Sequence, residues 1–135
     1  MDLELHQKYK NTKFDPETLD LFTDLISNDT VLKKVFLFIA KNEKDSIVTV
    51  GEISEKVQVE RKHRVEKNKR YSFVSKDDYI HRKQAEKIVE RLLAMSLIYY
   101  KAVPPYKHLF LTIRGKQVIQ RLYGWRRLLV NKEMR

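Results

Sequence analysis

The fold of this chain is decided by SKDDYIHRKQAEKIVERLLAMSLIYYKAVPPYKHLFLTIRG, residues Ser75–Gly115. Apolar residues at helical spacing over 75–96 predict a basic amphipathic helix. Residues 97–112 predict two short strands joined by the turn PPYK. Thr112 then caps a last helix over 113–131. The order helix, hairpin, helix predicts a mainly α fold with a small β-hairpin.

Helices are also predicted upstream of this stretch. Residues 15–27 predict an N-terminal helix, because Asp15 can cap it and a proline follows at the first helical position. Residues 30–57 predict two core helices. The first is apolar nearly all round, and the second opens with a capping box between Thr49 and Glu52.

Residues 58–74 separate these two groups of helices, and they predict an exposed basic loop. The stretch RKHRVEKNKR holds six bases and one acid and has no helical apolar stripe. The following RYSFV is compatible with a short strand. Ser75 is predicted to cap the basic helix, with Asp78 three residues on.

Composition indicates one domain spanning residues 1–135. The apolar fraction of 42% is sufficient for a core, and no apolar run approaches the roughly 20 residues of a membrane helix. The N-terminal segment lacks the apolar stretch of a signal peptide, so we expect a cytoplasmic protein. There is no cysteine, which excludes disulfides and thiolate metal sites.

Charge is concentrated in the second half of the chain. Residues 1–30 carry a net charge of −4 and residues 31–60 are neutral, whereas residues 61–135 hold twenty bases and six acids, a net charge of +14. This asymmetry favours a polyanionic partner such as nucleic acid. The alternative is a basic surface that serves solubility alone.

The pattern IVERLLAMSLIYY followed by HLFLTIRGKQVI resembles the recognition helix, wing and final helix of MarR- or PadR-like winged-helix regulators. The paired leucines Leu92-Leu93 end the helix, Leu97-Ile98 starts the wing, and Leu111-Thr112 with Gly115 closes it. The likeness covers about residues 30–57 and 75–130. It implies a winged helix-turn-helix with extra N- and C-terminal helices. The implied function is sequence-specific binding of double-stranded DNA by a homodimeric transcriptional regulator.

The resemblance also implies which residues contact DNA. The recognition helix would place its N-terminal half in the major groove, where glutamine pairs with adenine and arginine or lysine with guanine. The candidates on this helix are His81, Arg82, Lys83, Gln84 and Lys87. The alternative for them is a solvated helix face paired internally with Glu86 and Glu90.

Two further groups of residues are candidates for phosphate contact. The first group lies at the tip of the predicted wing and consists of Lys101, Tyr106, Lys107 and His108. The alternative is that these are simply soluble side chains of a stiff hairpin. The densest charge run would act as a flexible basic arm along the DNA backbone, or else is a solvated loop. Its candidates are Arg61, Lys62, Arg64, Lys67, Lys69 and Arg70.

The first and last helices are predicted to pair two protomers, as they do in the resembling families. The predicted dimer residues are Leu19, Phe22, Ile26, Leu122, Trp125 and Leu129. The alternative is that the two helices pack on each other within one chain.

No catalytic, metal or cofactor site is predicted. The sequence lacks a nucleophile elbow, a glycine-rich phosphate loop and HExxH, and its histidines have no second ligand at metal spacing. We therefore expect a binding protein and not an enzyme. Two other functions stay open: a winged-helix protein–protein interaction module without specific DNA binding, and a binder of RNA or single strands. The sequence predicts no effector.

Overall fold

A computed structural model describes the backbone of residues 8–133 and the side chains of residues 8–123. The elements are α1 (Pro16–Ser27), α2 (Thr30–Asn42), α3 (Val50–Lys56), β1 (Gln58–Lys67), β2 (Arg70–Tyr79), α4 (Arg82–Ala94), β3 (Ile98–Val103), β4 (Tyr106–Leu111) and α5 (Ile113–Glu133). The prediction of a helix-rich fold with a β-hairpin before the last helix is confirmed.

Aspartate residues cap the N-termini of α1 and α2. Asp15 accepts a 2.7 Å hydrogen bond from the backbone amide of Thr18, and Pro16 follows in the first turn. Asp29 accepts a 3.0 Å hydrogen bond from the amide of Leu32. Such caps satisfy amides that have no partner within the helix and thereby stabilise it. The predicted helix over 15–27 and its cap are confirmed.

Helix α3 begins where the capping motif was predicted. The Thr49 hydroxyl accepts a 3.2 Å hydrogen bond from the amide of Glu52. The carboxylate of Glu52 lies 2.9 Å from Lys56, one turn further on, and this hydrogen bond raises the pKa of the lysine. Val48, just before the cap, and Ile53, inside the helix, are both buried.

One core joins the helices to the β3–β4 hairpin. Phe36 and Ile39 of α2 are fully buried, as are Leu92 of α4 and Ile98 of β3. The other large side chains with almost no exposed surface are Ile26, Leu32, Ile53, Ile80, Leu97, Leu109, Val35 and Val48.

The β3–β4 hairpin pairs in antiparallel register from Ile98 opposite Leu111 to Val103 opposite Tyr106. The amide of Leu109 also donates a 2.9 Å hydrogen bond to the carbonyl of Val48, so the hairpin is tied to the segment before α3. The predicted hairpin over 97–112 is confirmed.

The start of α5 is fixed by Thr112, as predicted. Its hydroxyl donates to the carbonyl of Ser96 at 2.7 Å and accepts from the amide of Gly115 at 3.0 Å. Gly115 packs directly on the backbone, because a Cβ there would lie 2.1 Å from the carbonyl oxygen of Leu97. Ser96 has φ of +62°, the left-handed conformation that commonly ends a helix.

The predicted loop over 58–74 is wrong, although the stretch is exposed as predicted and RYSFV lies in a strand, as its sequence allowed. Residues 58–79 form a second antiparallel hairpin, in which Gln58 pairs with Tyr79 and the ladder continues to Lys67 opposite Arg70. Its two-residue turn is Asn68-Lys69, with φ of +55° and +61°. Two positive φ angles are typical of the turn that joins twisted strands. We call this hairpin, Gln58–Tyr79, the arm.

The predicted start of the basic helix at Ser75 is also wrong. Ser75 and Asp78 lie in β2, which continues to Tyr79, and α4 begins only at Arg82. His81 is the N-cap residue, and its side chain forms no capping hydrogen bond. The polar residues that suggested a helix start are instead part of a solvent-exposed strand.

The arm is anchored to the core at its base. The amide of Ile80 donates a 2.9 Å hydrogen bond to the carbonyl of Val57, and the hydroxyl of Ser54 donates to the carbonyl of Ile80 at 3.1 Å. Val59 and Ile80 are each 1% exposed. Beyond this base, most of the arm's side chains are exposed.

Candidate nucleic-acid interface

Five polar or basic side chains at the start of α4, from its N-cap residue to the end of its second turn, line one open depression of about 580 Å³. All five are exposed, whereas Ala85, Ile88 and Val89 on the opposite side of the helix are buried in the core. The cavity-lining residues are His81, Arg82, Lys83, Gln84 and Lys87. These are the five residues that the sequence assigned to the DNA-contacting half of the basic helix.

Internal ion pairing uses little of this charge. Nε of Arg82 lies 3.5 Å from a carboxylate oxygen of Glu86, and both side chains are at least half exposed. A surface ion pair of this kind contributes little to the stability of the fold. Across residues 8–123, neither Lys83 nor Lys87 takes part in an ion pair. We call the surface formed by these five residues, 81–84 and 87, the α4 face. It keeps most of its positive charge available to an anionic ligand.

Arg61 connects the base of the arm to the start of α4. Its Nη1 donates a 3.1 Å hydrogen bond to the carbonyl of Tyr79 and lies 3.5 Å from Oδ2 of Asp78. Nη2 of the same guanidinium contacts Nε2 of His81. The guanidinium of Arg61, one of the predicted DNA contacts, is thus in part engaged within the protein, between the arm and the start of α4.

Asp78 completes this junction. Its Oδ1 accepts a 2.7 Å hydrogen bond from the amide of Tyr79, and its Oδ2 lies 3.5 Å from both Arg61 and His63. The backbone hydrogen bond lowers the pKa of Asp78, and the nearby cations act in the same direction against a desolvation effect that raises it. The carboxylate of Asp78 therefore stays ionised to lower pH than an ordinary aspartate, and it lies beside Arg61 at the junction.

The other predicted arm cations project into solvent. Six lysine or arginine residues and one acid lie between residues 62 and 76, which we call the far half of the arm. The guanidinium carbon of Arg64 lies 3.7 Å from the centre of the Tyr71 ring, an ordered cation–π contact. The exposed predicted residues are Lys62, Arg64, Lys67, Lys69 and Arg70.

Three residues of the far half had not been predicted as candidates from the sequence. Lys76 adds a cation, and Tyr71 and Phe73 expose 58% and 69% of their surface. Tyr71 and Phe73 are two residues apart on one strand and therefore share one face of the arm. The alternation of polar and aromatic residues in RYSFV was the signal for this face.

The wing candidates lie on or beside the tip of the β3–β4 hairpin. Tyr106 is 59% exposed, and the ammonium groups of Lys101 and Lys107 lie 5.3 Å and 4.9 Å from the ring centres of Phe110 and Tyr100. These contacts keep the lysine stems on the hairpin while their charges remain exposed. His108 is only partly exposed and pairs with Lys101 across the ladder.

The predicted dimer surface is in part interior. Leu19 and Ile26 are 8% and 0% exposed, because α1 packs against α2 and α5 of the same chain. Phe22 stacks on Phe14 with ring centres 4.7 Å apart, and Leu122 packs against the core. The assignment of Leu19 and Ile26 to an exposed dimer surface is therefore wrong.

The last two predicted dimer residues, Trp125 and Leu129, lie outside the described side chains. The exposed leucines of α1 are Leu21 and Leu25, at 57% and 49% exposure. A salt bridge of 2.9 Å between Arg121 and Asp20 further ties α5 to α1. Leu21 and Leu25 are thus the large apolar side chains that α1 presents to solvent.

Within the described part of the chain, no three histidine, cysteine or acidic residues gather as metal ligands. None of the described helices is both long and apolar enough to cross a bilayer.

Comparison with known proteins gave no match: no protein-family model, curated protein or solved structure is significantly similar to this chain.

Proposed function

We propose that this protein binds double-stranded DNA through the exposed face of α4 and the arm, and that it regulates transcription by this binding. The observation that carries the proposal is a group of five exposed polar and basic side chains at the start of α4 that line one open depression, beside an arm whose Arg61 contacts the N-cap residue His81. Binding alone is proposed, with no catalytic step.

The α4 face suits a major groove by its chemistry. The groove is wide enough to admit an α-helix, and its base edges present donors and acceptors that differ for each base pair. Gln84 can form paired hydrogen bonds with adenine, while Arg82 and Lys83 can do so with guanine. The buried side of α4 holds the helix on the core, so its polar side is presented as a rigid unit.

The arm supplies charge without base-specific geometry. Its far half carries five more bases than acids, and exposed lysine and arginine residues contact phosphates wherever a duplex passes. We assign it to affinity, and the α4 face to sequence selection. The wing lysines Lys101 and Lys107 would add phosphate contacts in the same way.

A winged-helix arrangement is the architecture that we propose for this interface. Supporting it are the succession α3, α4 and β3–β4, and the hydrogen bond from Leu109 to Val48 that ties the hairpin to the start of α3. The connection between α3 and α4 departs from the pattern, since a helix-turn-helix ordinarily uses three or four residues there. In this chain the arm occupies that connection.

We also propose that the protein acts as a homodimer, with Leu21 and Leu25 in the contact. They lie one turn apart on α1 and are the two large apolar side chains that this helix exposes. A two-fold contact through the same patch on both subunits would set the separation of two α4 helices over a palindromic site.

Fluorescence anisotropy across a salt series tests the DNA proposal. The protein is titrated into labelled duplex of random sequence and into duplex from upstream of its own gene. We expect upstream binding to persist at salt concentrations that abolish random binding, and Gln84→Ala to reduce this preference. Absence of duplex binding at low salt, or tighter binding to single strands or RNA, would overturn the proposal and direct the search to those ligands or to protein partners.

A further inference from the structure

Phe73 is the most exposed large hydrophobic side chain in the described part of the chain, at 69%. It stands directly opposite Arg64 in the antiparallel ladder. Across residues 8–123 its ring has no stacking or cation–π partner, whereas the neighbouring Tyr71 is covered by the Arg64 guanidinium at 3.7 Å. Phe73 is thus an aromatic ring without a ring or cation partner, on a face that it shares with Tyr71 and with charged residues.

The surroundings of Phe73 identify the kind of partner that would cover it. Lys62 and Arg64 lie on the same face, since their register partners are Ser75 and Phe73. Lys69 in the turn and the pair Lys67–Arg70 on the opposite face add further cations, while Glu66, the one acid of the far half, lies on the same face as Phe73. A free apolar ring between cations complements a polyanion that has an apolar interior, and stacked base pairs between phosphates have that character.

We propose that Phe73 inserts as a wedge between adjacent base pairs from the minor groove and bends the duplex. Lys62 and Arg64 then contact the phosphates on either side of the opened step. The inference rests on the proposed binding of duplex DNA and adds a specific action of the arm. Apolar side chains such as phenylalanine act in this way in minor-groove proteins, where partial unstacking allows the bent DNA to contact more protein surface.

The dimensions of the arm favour insertion of one ring. An undistorted minor groove is about 6 Å wide, and two strands about 4.8 Å apart with their side chains exceed it. Phe73 lies three residues from the start of β2, about 10 Å from the turn. The tip can therefore lie along the groove edge while the ring alone enters the stack.

A stacking platform for a single strand is less well supported by the same residues. Such platforms use several open aromatic faces in succession, on which consecutive bases stack. Here Arg64 occupies a face of Tyr71, and Tyr79, the other exposed aromatic of β2, lies at the far end of the strand beside the core. A single open ring is sufficient for a wedge, whereas a stacking platform would need several open rings in succession.

Energy transfer between dyes on the two ends of a duplex of about 30 base pairs measures the bend. The full-length wild-type chain should bring the ends together, and Phe73→Ala should abolish this change while weakening binding by less than about tenfold. Phe73→Leu keeps an apolar wedge and should retain most of the bend. Val74→Ala, which truncates the adjacent exposed residue on the opposite face, is the control and should bend DNA as the wild type does.

Three results would overturn the inference. They are duplex binding without any bend, a bend that Phe73→Ala leaves unchanged, and a Phe73-dependent preference for single strands. The first two leave the proposed DNA binding intact, whereas no duplex binding at all would remove both proposals. Hydrogen exchange of the β1 and β2 amides, equal in wild type and Phe73→Ala, verifies that the arm remains folded.

Discussion

Arg61 of β1 donates a 3.1 Å hydrogen bond to the carbonyl of Tyr79, the last residue of β2, while its second terminal nitrogen contacts His81 at the start of α4. One guanidinium therefore spans three neighbouring segments. Because a two-stranded hairpin is only marginally stable alone, this contact helps determine how the arm is held relative to α4.

Replacing Arg61 should loosen the base of the arm. We expect Arg61→Ala to destabilise the junction by about 1–2 kcal/mol, since it removes a charge-assisted hydrogen bond from a side chain that is only 26% exposed. Arg61→Lys should recover only part of this loss, because an ammonium lacks the planar fork. Hydrogen exchange of the β1, β2 and early α4 amides is the measurement. Lys62→Ala, the adjacent exposed residue, is the control, and equal exchange in both alanine variants would contradict the role given to Arg61.

Asp78 makes the junction sensitive to acid. Its pKa is lowered from 3.8 in the folded protein, so its contribution to stability is present above that ordinary value and is lost as the pH falls through the lower folded pKa. Thermal unfolding of wild type and Asp78→Asn should therefore differ at pH 6 and converge as the pH falls below about 3.8. A difference that is constant with pH would show that the charge of Asp78 is not involved.

Cations at the arm tip should control the salt dependence of duplex binding. Each lost phosphate contact reduces the slope of log affinity against log salt by about 0.9. The wild-type slope should be about −5. Lys67→Ala/Lys69→Ala/Arg70→Ala should make it less negative by roughly 2 to 3 units, with little change in sequence preference. Lys8→Ala/Lys13→Ala/Lys44→Ala removes the same charge from elsewhere on the surface. If both triple variants changed the slope equally, net charge and not the arm would be responsible.

The oligomeric state tests the surface assigned to α1. Sedimentation at high micromolar concentration should show a dimer for the wild type and a monomer for Leu21→Asp/Leu25→Asp. Both leucines are exposed, so their replacement should leave the fold unchanged by circular dichroism. A wild-type monomer at this concentration would contradict the dimer proposal, and a dimer retained by the variant would place the contact on another surface.

Local signals explain which elements were predictable from sequence. Asp15, Thr49 and Thr112 each form the predicted bond to a nearby backbone amide, because capping depends on a few adjacent residues. The apolar stripe of α4 likewise identified its buried side. These features are local, and the structure confirms them.

RYSFV was compatible with a strand, but the arm was missed as a hairpin because its two faces are both largely solvent-exposed. Strand prediction relies on a buried face, whereas here Val65, Val74 and Phe73 are exposed among lysine and arginine residues. The turn also lacks the glycine that usually marks a tight hairpin, since Asn68 and Lys69 adopt the positive φ angles themselves. Because this exposed strand continues to Tyr79, Ser75 and Asp78 lie in β2 and not at the start of a helix, and α4 begins only at Arg82.

The burial of Leu19 and Ile26 depended on tertiary packing. Their helical spacing shows that they share a face, but a stripe of this kind packs equally well on a second protomer or on α5 of its own chain. In the structure this stripe packs within the chain, where α1 contacts α5. Leu21 and Leu25 remain as the large exposed apolar residues of α1.

The central claim, that the α4 face is the main DNA-binding surface, is tested most directly by comparing two charge-matched variants on one duplex. Arg82→Ala/Lys83→Ala/Lys87→Ala removes three cations from the α4 cavity, and Lys8→Ala/Lys13→Ala/Lys44→Ala removes three exposed cations elsewhere. Anisotropy titration at fixed salt should show a loss of about 100-fold or more for the α4 variant and less than about threefold for the control. Equal losses in the two variants would contradict the claim and leave only a general attraction between a basic protein and DNA.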